Sequence, residues 1–215
     1  MTIAPEDAPL TQRLGWWSHA LLSLARQGLH FSDNPYDRDR YNHLLTIAAE
    51  MRSTVEGGVL EEVEAALWES MTGTVPVPVV DGAVFDDAGR ILLVQRHDDG
   101  LWAMPGGALE VGETPAEGAC RETLEETGIV VRARALVGVY DSRFCGTRST
   151  WQLYHFVLLC APVSGEPRPS YETLDARWFD PDALPPLSPG HPRCVADAVA
   201  FYRTPCPTAA FDPVP

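Results

Sequence analysis

Glu122, Glu125 and Glu126 crowd three carboxylates into one short stretch of chain. Ahead of them, Thr114-Pro115-Ala116-Glu117 reads as a helix start. Threonine takes the N-cap, proline the first helical position, and glutamate closes a capping box three residues on. Gly128 stands where a left-handed turn ends the same helix. At 3.6 residues per turn the three glutamates project from one face. Ala116, Cys120, Thr123 and Thr127 take the other, the face able to pack on a sheet. Like charges at this spacing repel by roughly 0.2–0.5 kcal/mol per pair, and two of them occupy the last turn, where the helix dipole favours cations. Only Arg121 is at hand to offset them. A local rule broken in this way marks a functional site. Clustered carboxylate oxygens are ligands that magnesium and manganese prefer, so the segment reads as a divalent-cation site.

The whole stretch from Gly107 to Ile129, GALEVGETPAEGACRETLEETGI, resembles the Nudix box, G-x5-E-x7-R-E-U-x-E-E-x-G-U with U apolar. Gly107, Glu113, Arg121, Glu122, Glu125, Glu126 and Gly128 all fall in register, and Thr123 at the first U is the one departure. The lead-in Leu101–Gly107 carries W-x-x-P-G-G, common just before the box, and Arg177-Trp178-Phe179 with Asp182–Pro186 looks like the family's late strand and helical turn. The resemblance implies metal ligation, by magnesium or manganese, through Glu122, Glu125 and Glu126, with the main-chain carbonyl of Gly106 or Gly107 adding one more. It implies that Glu113 joins the site or holds Arg121, and that Arg121 orients its neighbours. Many members use a further carboxylate in the loop before the late strand. Glu172 is the best match, with Glu166 and Asp175 as fallbacks. Glu122, Glu126, Arg121 and Glu172 are then the residues that carry catalysis.

A second resemblance lies upstream. Leu24–Leu29, Asn34–Tyr41 and Ala48–Met51 look like the helical N-terminal domain of one Nudix subgroup. That subgroup hydrolyses nucleoside diphosphates linked to another moiety, of the ADP-ribose or CDP-choline type. The reaction so implied takes a nucleoside-diphosphate-X and water to a nucleoside monophosphate and X-phosphate. A metal neutralises the phosphate oxygens and lowers the pKa of a bound water, and a carboxylate accepts the proton. For the base and X, Trp102 and Tyr140 are stacking candidates, and Arg96, Arg143 and Arg148 are candidate phosphate or ribose contacts. Two rival readings are a sanitising nucleoside triphosphatase and a non-catalytic Nudix-fold sensor. The helical N-terminal segment speaks against the first, and the intact box carboxylates against the second.

These residues need a scaffold, and 215 residues suffice for one large or two small domains. Hydrophobic content of 45% and charged content of 21% describe a globular protein. Net charge is −14, from 30 acids against 16 basic residues, all of them arginine. Such acidity argues against a general nucleic-acid binder, whose footprint is a basic patch. It leaves small anionic substrates open, because a bound cation reverses the local field. Five cysteines without C-x-x-C spacing indicate neither a disulfide framework nor a thiolate zinc site. With no secretory signal and no 18-residue apolar run, a cytoplasmic location away from membranes is expected.

Residues 1–72 read as a helical domain. Leu14, Trp17, Leu21 and Leu24, then Tyr41, Leu44, Leu45, Ala48 and Met51, then Leu60, Val63, Leu67 and Met71 form three apolar stripes at helical spacing. Three short helices are marginal alone, so a homodimer is expected. Residues 76–203 read as strand-rich, opening on an edge-like Val-Pro strand. Val79–Phe85 and Ile91–Gln95 flank the turn Asp86–Gly89 as a hairpin signal. Further strands are expected at 129–140, 150–160 and 176–179, and a closing helix at 192–202. The expected class is α+β, a Nudix-type α/β/α sandwich on a mixed sheet, followed by a loose tail at 204–215.

Overall fold

The computed structural model describes residues 7–72, 76–147, 152–204 and 208–212. They fall into two compact units, one built on the N-terminal helices and one on the sheets.

The first unit holds α1 (Leu10–Phe31), α2 (Pro35–Glu56) and α3 (Leu60–Thr72). α2 starts on Asn34, whose side chain accepts the Tyr36 N–H at 2.9 Å, with Pro35 in the first turn. Small residues let α1 and α2 approach: Ser18, Ala25, Ala48 and Ala49 are all buried, and the Ser18 hydroxyl donates to the Ala48 carbonyl at 2.7 Å. The Tyr41 ring lies so close over Gly28 that a Cβ there would stand 2.1 Å from it. The sequence suggests three short helices, yet α1 and α2 run 22 residues each. Leu24, expected in the apolar stripe, is 53% exposed.

The second unit contains β1 (Val77–Val84), β2 (Ile91–Arg96), β3 (Trp102–Ala103), β4 (Gly106–Ala108), α4 (Pro115–Thr127), β5 (Val130–Asp141), α5 (Ser142–Cys145), β6 (Leu153–Ser164), β7 (Thr173–Phe179), α6 (His191–Arg203) and β8 (Ala210–Phe211). A mixed five-stranded sheet runs β4-β1-β6-β5-β8, with β1–β6 and β5–β8 parallel, and a smaller antiparallel sheet runs β3-β2-β7. Strand periodicity sends alternate residues to opposite faces. Val80, Val84 and Leu92 enter a core with Ala119 of α4, while Ala83, Phe85, Ile91 and Leu93 enter another with Val195 and Ala198 of α6. The expected mixed-sheet sandwich of the α+β class is therefore the fold. Among the described residues no helix is long and apolar enough to cross a membrane.

Three expectations need correction. β1 and β2 do not form a hairpin ladder: they belong to different sheets, and the turn between them is closed by a single antiparallel bridge, Phe85–Ile91, and by the Asp86 N–H donating to the Arg90 carbonyl at 3.0 Å. The Asp86 carboxylate also holds this turn, accepting the Ala88 and Arg90 N–H groups at 3.0 and 2.8 Å. Nor is β1 an edge, since it lies between β4 and β6. Pro78 fits there because the β4 ladder begins one residue later, at Val79, so its missing donor is not needed. The tail is not loose over 208–212. Ala210 and Phe211 pair with Gly138 and Val139, and Asp212 accepts the Asp141 N–H at 2.6 Å and an Arg193 bond at 2.5 Å.

Candidate metal and active site

α4 begins as its sequence dictates. The Glu117 N–H donates to the Thr114 hydroxyl at 3.3 Å, and the Glu117 carboxylate accepts the Thr114 N–H at 2.8 Å. Gly128 ends it in the left-handed region, φ 75°. Ala119, Thr123 and Thr127 form its fully buried inner face. Thr123 is at home there because its hydroxyl donates to the Ala119 carbonyl at 2.7 Å, and because Gly82 opposite has no Cβ, which would stand 2.6 Å from that oxygen.

The outer face brings Glu122 and Glu126 together, one turn apart, and the loop before β7 delivers Glu172. Carboxylate oxygens of these three all lie within 4.8 Å of one another. Glu122 is itself buried and rests on Gly107, where a Cβ would stand 2.5 Å from its oxygen. Glu126 accepts the Gly106 N–H at 2.9 Å. Arg121 donates to Glu122 at 2.8 Å, to Glu125 at 3.2 Å and to the Ala108 carbonyl at 3.2 Å, an arrangement suited to orienting rather than to binding substrate.

Crowding and burial show in the acidities. Burial, reinforced by the charges of Glu122, Glu172 and Asp81, pushes the Glu126 carboxyl up to about 8 against the pull of the Gly106 N–H. Burial also raises Glu122, Arg121 offsetting only part of it. The donor set fits a divalent cation. It offers three converging oxygens, one of them on a carboxyl that burial and its neighbours keep protonated at neutral pH until positive charge arrives.

Not every expected site residue joins this cluster. Glu125 turns away to Arg121 with its side chain 46% exposed, because one residue's step is about 100° of helix. Glu113 accepts the Glu110 N–H at 2.7 Å within its own turn. Gly106 contributes its N–H to Glu126. The fallbacks Glu166 and Asp175 lie outside the cluster, and Asp175 pairs with Arg177.

The proposed substrate contacts fare worse. Tyr140 is fully buried and donates its hydroxyl to Asp197 at 3.0 Å, so it is a core residue and not a stacking platform. Trp102 packs edge-on against Phe179 with ring centroids 4.6 Å apart. Arg143 is held by Asp141 at 2.7 Å. Arg96 pairs with Asp98 at 2.6 and 2.9 Å while remaining within electrostatic reach of Glu126. Arg148 lies outside the described residues.

Sequence reasoning passed over Asp81, a charge inside the apolar run of β1, which was the signal that could have found it. It is buried, with a carboxylate oxygen 2.8 Å from His155 Nδ1 and another 4.0 Å from His191 Nδ1. Burial pushes the Asp81 carboxyl up, but the His155 hydrogen bond and charge hold it below the usual range. His155 is raised in turn: burial lowers it, and the Asp81 hydrogen bond and charge outweigh that. Tyr171, 84% exposed, has its phenol pKa raised by the neighbouring Glu172 carboxylate beside the cluster.

Known proteins place this architecture. Residues 75–198 match the NUDIX domain, and residues 12–67 match the UDP-X-like, N-terminal oligomerisation domain. The chain belongs to the Nudix family of hydrolases, which generally use divalent metals. It is 35% identical over 195 residues to YjhB of Bacillus subtilis, whose name marks it provisionally as an ADP-ribose pyrophosphatase. That match covers 88% of this chain and 92% of the relative. It is 34% identical over 125 residues to the ADP-ribose pyrophosphatase of Methanocaldococcus jannaschii, covering 57% of this chain and 72% of that one. The crystal structure of a UDP-X diphosphatase superposes with a TM-score of 0.59 at 27% identity, covering 94% of this chain and 99% of the other.

Proposed function

We propose that this Nudix hydrolase cleaves the pyrophosphate of a nucleoside diphosphate joined to a second organic group, of the ADP-ribose, UDP-X or CDP-choline type. The products are a nucleoside monophosphate and the phosphorylated second group. The observation that carries the reading is the cluster of Glu122, Glu126 and Glu172, formed across the box helix and the loop before β7. The relatives' named substrates and the N-terminal domain match support the substrate class.

In this reading Glu122, Glu126 and Glu172 hold magnesium or manganese. When bound, the cation neutralises diphosphate oxygens and lowers the pKa of a coordinated water. Arg121 fixes the Glu122 carboxylate, the Gly106 N–H fixes Glu126, and Glu172, the exposed member, accepts the proton of the attacking water. Arg96, although paired with Asp98, lies within electrostatic reach of Glu126 and adds positive charge near the cluster. The enzyme works in the cytoplasm on a small nucleotide conjugate, not on nucleic acid, whose approach the acidic surface opposes.

A panel of nucleotide conjugates and triphosphates, with products identified by chromatography, tests the substrate. The best diphosphate conjugate is expected to exceed any nucleoside triphosphate in kcat/KM by at least roughly tenfold, about 1.4 kcal/mol of transition-state preference. An ordinary or oxidised dNTP as best substrate would make the protein a sanitising triphosphatase instead.

We further propose that the chain is a homodimer held through its N-terminal helices. Leu24, Phe31 and Tyr36 are exposed apolar residues there, and a groove of about 750 Å³ is lined by Leu24, Gly28, Phe31, Tyr41 and Leu44. Together with the oligomerisation-domain match at 12–67, this surface supports symmetric pairing. Sedimentation at micromolar concentration should give a dimer for the full chain, and a monomer there would count against it.

A further inference from the structure

Two of the three clustered carboxylates ride on one helix, whereas the third comes from a loop 46 residues further along the chain, between Glu126 and Glu172. Something must hold that loop to the helix at a fixed distance. The structure shows a short run of hydroxyl bonds doing so. Thr173, only 3% exposed at the start of β7, donates its hydroxyl to the Glu126 main-chain carbonyl at 2.9 Å. The same oxygen accepts the Ser170 N–H at 3.1 Å and lies 3.3 Å from the Ser170 hydroxyl. The Ser170 hydroxyl in turn accepts the Glu172 N–H at 3.0 Å. Each link ends on the backbone of a residue that bears a cluster carboxylate, or one hydroxyl away from it.

The strand register contributes as well. β7 pairs with β2 regularly from Phe179 down to Asp175, then shifts, so that Arg96 faces Thr173 and Leu174 is passed over. A bulge of this kind bends a strand and re-aims a side chain. Here it leaves Thr173 buried with its hydroxyl against the last turn of α4.

We propose that Thr173, with Ser170, is a positioning residue that sets Glu172 within reach of the cation held by Glu122 and Glu126. The proposal rests on the reading of Glu172 as a metal ligand. The hydroxyl is used fully, once as donor and otherwise as acceptor. A valine of the same shape therefore removes the link while leaving the strand filled, whereas serine keeps the link and loses only a methyl group.

The test is Mn²⁺ binding, followed by the electron paramagnetic resonance signal of the free ion, on the full chain carrying Thr173→Val, Thr173→Ser, Glu172→Gln, or Glu172→Gln together with Thr173→Val. Removing groups that orient metal ligands typically costs 10–100-fold in affinity. We expect Thr173→Val to weaken Mn²⁺ binding by about tenfold, Thr173→Ser to bind like the parent, and Thr173→Val to add little once Glu172 is glutamine. Parent-like binding by Thr173→Val alongside weakened binding by Glu172→Gln would overturn the positioning role alone. Parent-like binding by Glu172→Gln would instead overturn Glu172 as a ligand, and the positioning role with it. Equal losses in both backgrounds would mean general damage to the fold and also overturn the proposal. Should Thr173→Val not fold, Ser170→Ala, which removes the acceptor of the Glu172 N–H and the hydroxyl contact to Thr173 while keeping the Ser170 N–H bond, is read by the same criteria.

Discussion

Glu126→Gln is expected to silence the enzyme and, in the absence of metal, to stabilise it. Losing a cluster carboxylate removes several kcal/mol of charge stabilisation at the reacting phosphate, roughly 10²–10⁴ in kcat. Chelation of the parent should cost at least as much, with recovery on adding magnesium or manganese. The stability effect follows from the Glu126 carboxyl, pushed up to about 8 by burial and by its acidic neighbours. Its ordinary value is 4.5, so between 4.5 and about 8 the folded protein binds more protons than the unfolded one. The metal-free protein is then most stable on the acid side and loses stability as pH rises through about 8. At about 1.4 kcal/mol per unit, the penalty at pH 9 is on the order of a few kcal/mol. Glutamine carries no such penalty, so metal-free Glu126→Gln should melt several degrees above the parent at pH 9 and near it at pH 4. Parent-like turnover, or a lower melting temperature at pH 9, would remove Glu126 from the site.

Metal affinity should depend steeply on pH for the same reason. A cation displaces the proton from Glu126, so binding tightens as that proton becomes easier to remove. Between pH 6 and about 8 the affinity for Mn²⁺ should rise about tenfold per pH unit and then level off. Calorimetric titration in buffers of differing ionisation enthalpy should count close to one proton released near pH 6.5. In Glu126→Gln that release should disappear, because glutamine has nothing to give up. A flat affinity from pH 6 to 8 would mean that Glu126 is already ionised without metal.

Much of this site was legible before the fold, because its information is local. Thr114, Pro115, Glu117 and Gly128 act on backbone groups within one turn, and the capping box and left-handed stop appear as read. The spacing of Glu122 and Glu126 fixes their shared face in the same local way. What failed depended on distant pairing. The Asp86 turn looked like a hairpin because turn chemistry does not say which partner each strand will find. Tyr140 looked available for stacking because nothing near it in sequence announces Asp197. Asp81 went unread because its histidine partners lie 74 and 110 residues away, His155 and His191. The tail looked loose because its proline content hides the bonds Asp212 makes to β5 and α6.

The two sources of the carboxylates have a consequence of their own. Glu122 and Glu126 belong to a helix laid on the five-stranded sheet, whereas Glu172 leads into a strand of the three-stranded one. The carboxylate cluster thus bridges two sheets that exchange few hydrogen bonds but share both apolar cores, and it is complete only while both are seated. On the proposed reading, a cation tying the three carboxylates together would clasp the sheets as well, acting as a structural rivet beside its chemical role. Catalytic competence would then report how well the small sheet is seated against the larger one.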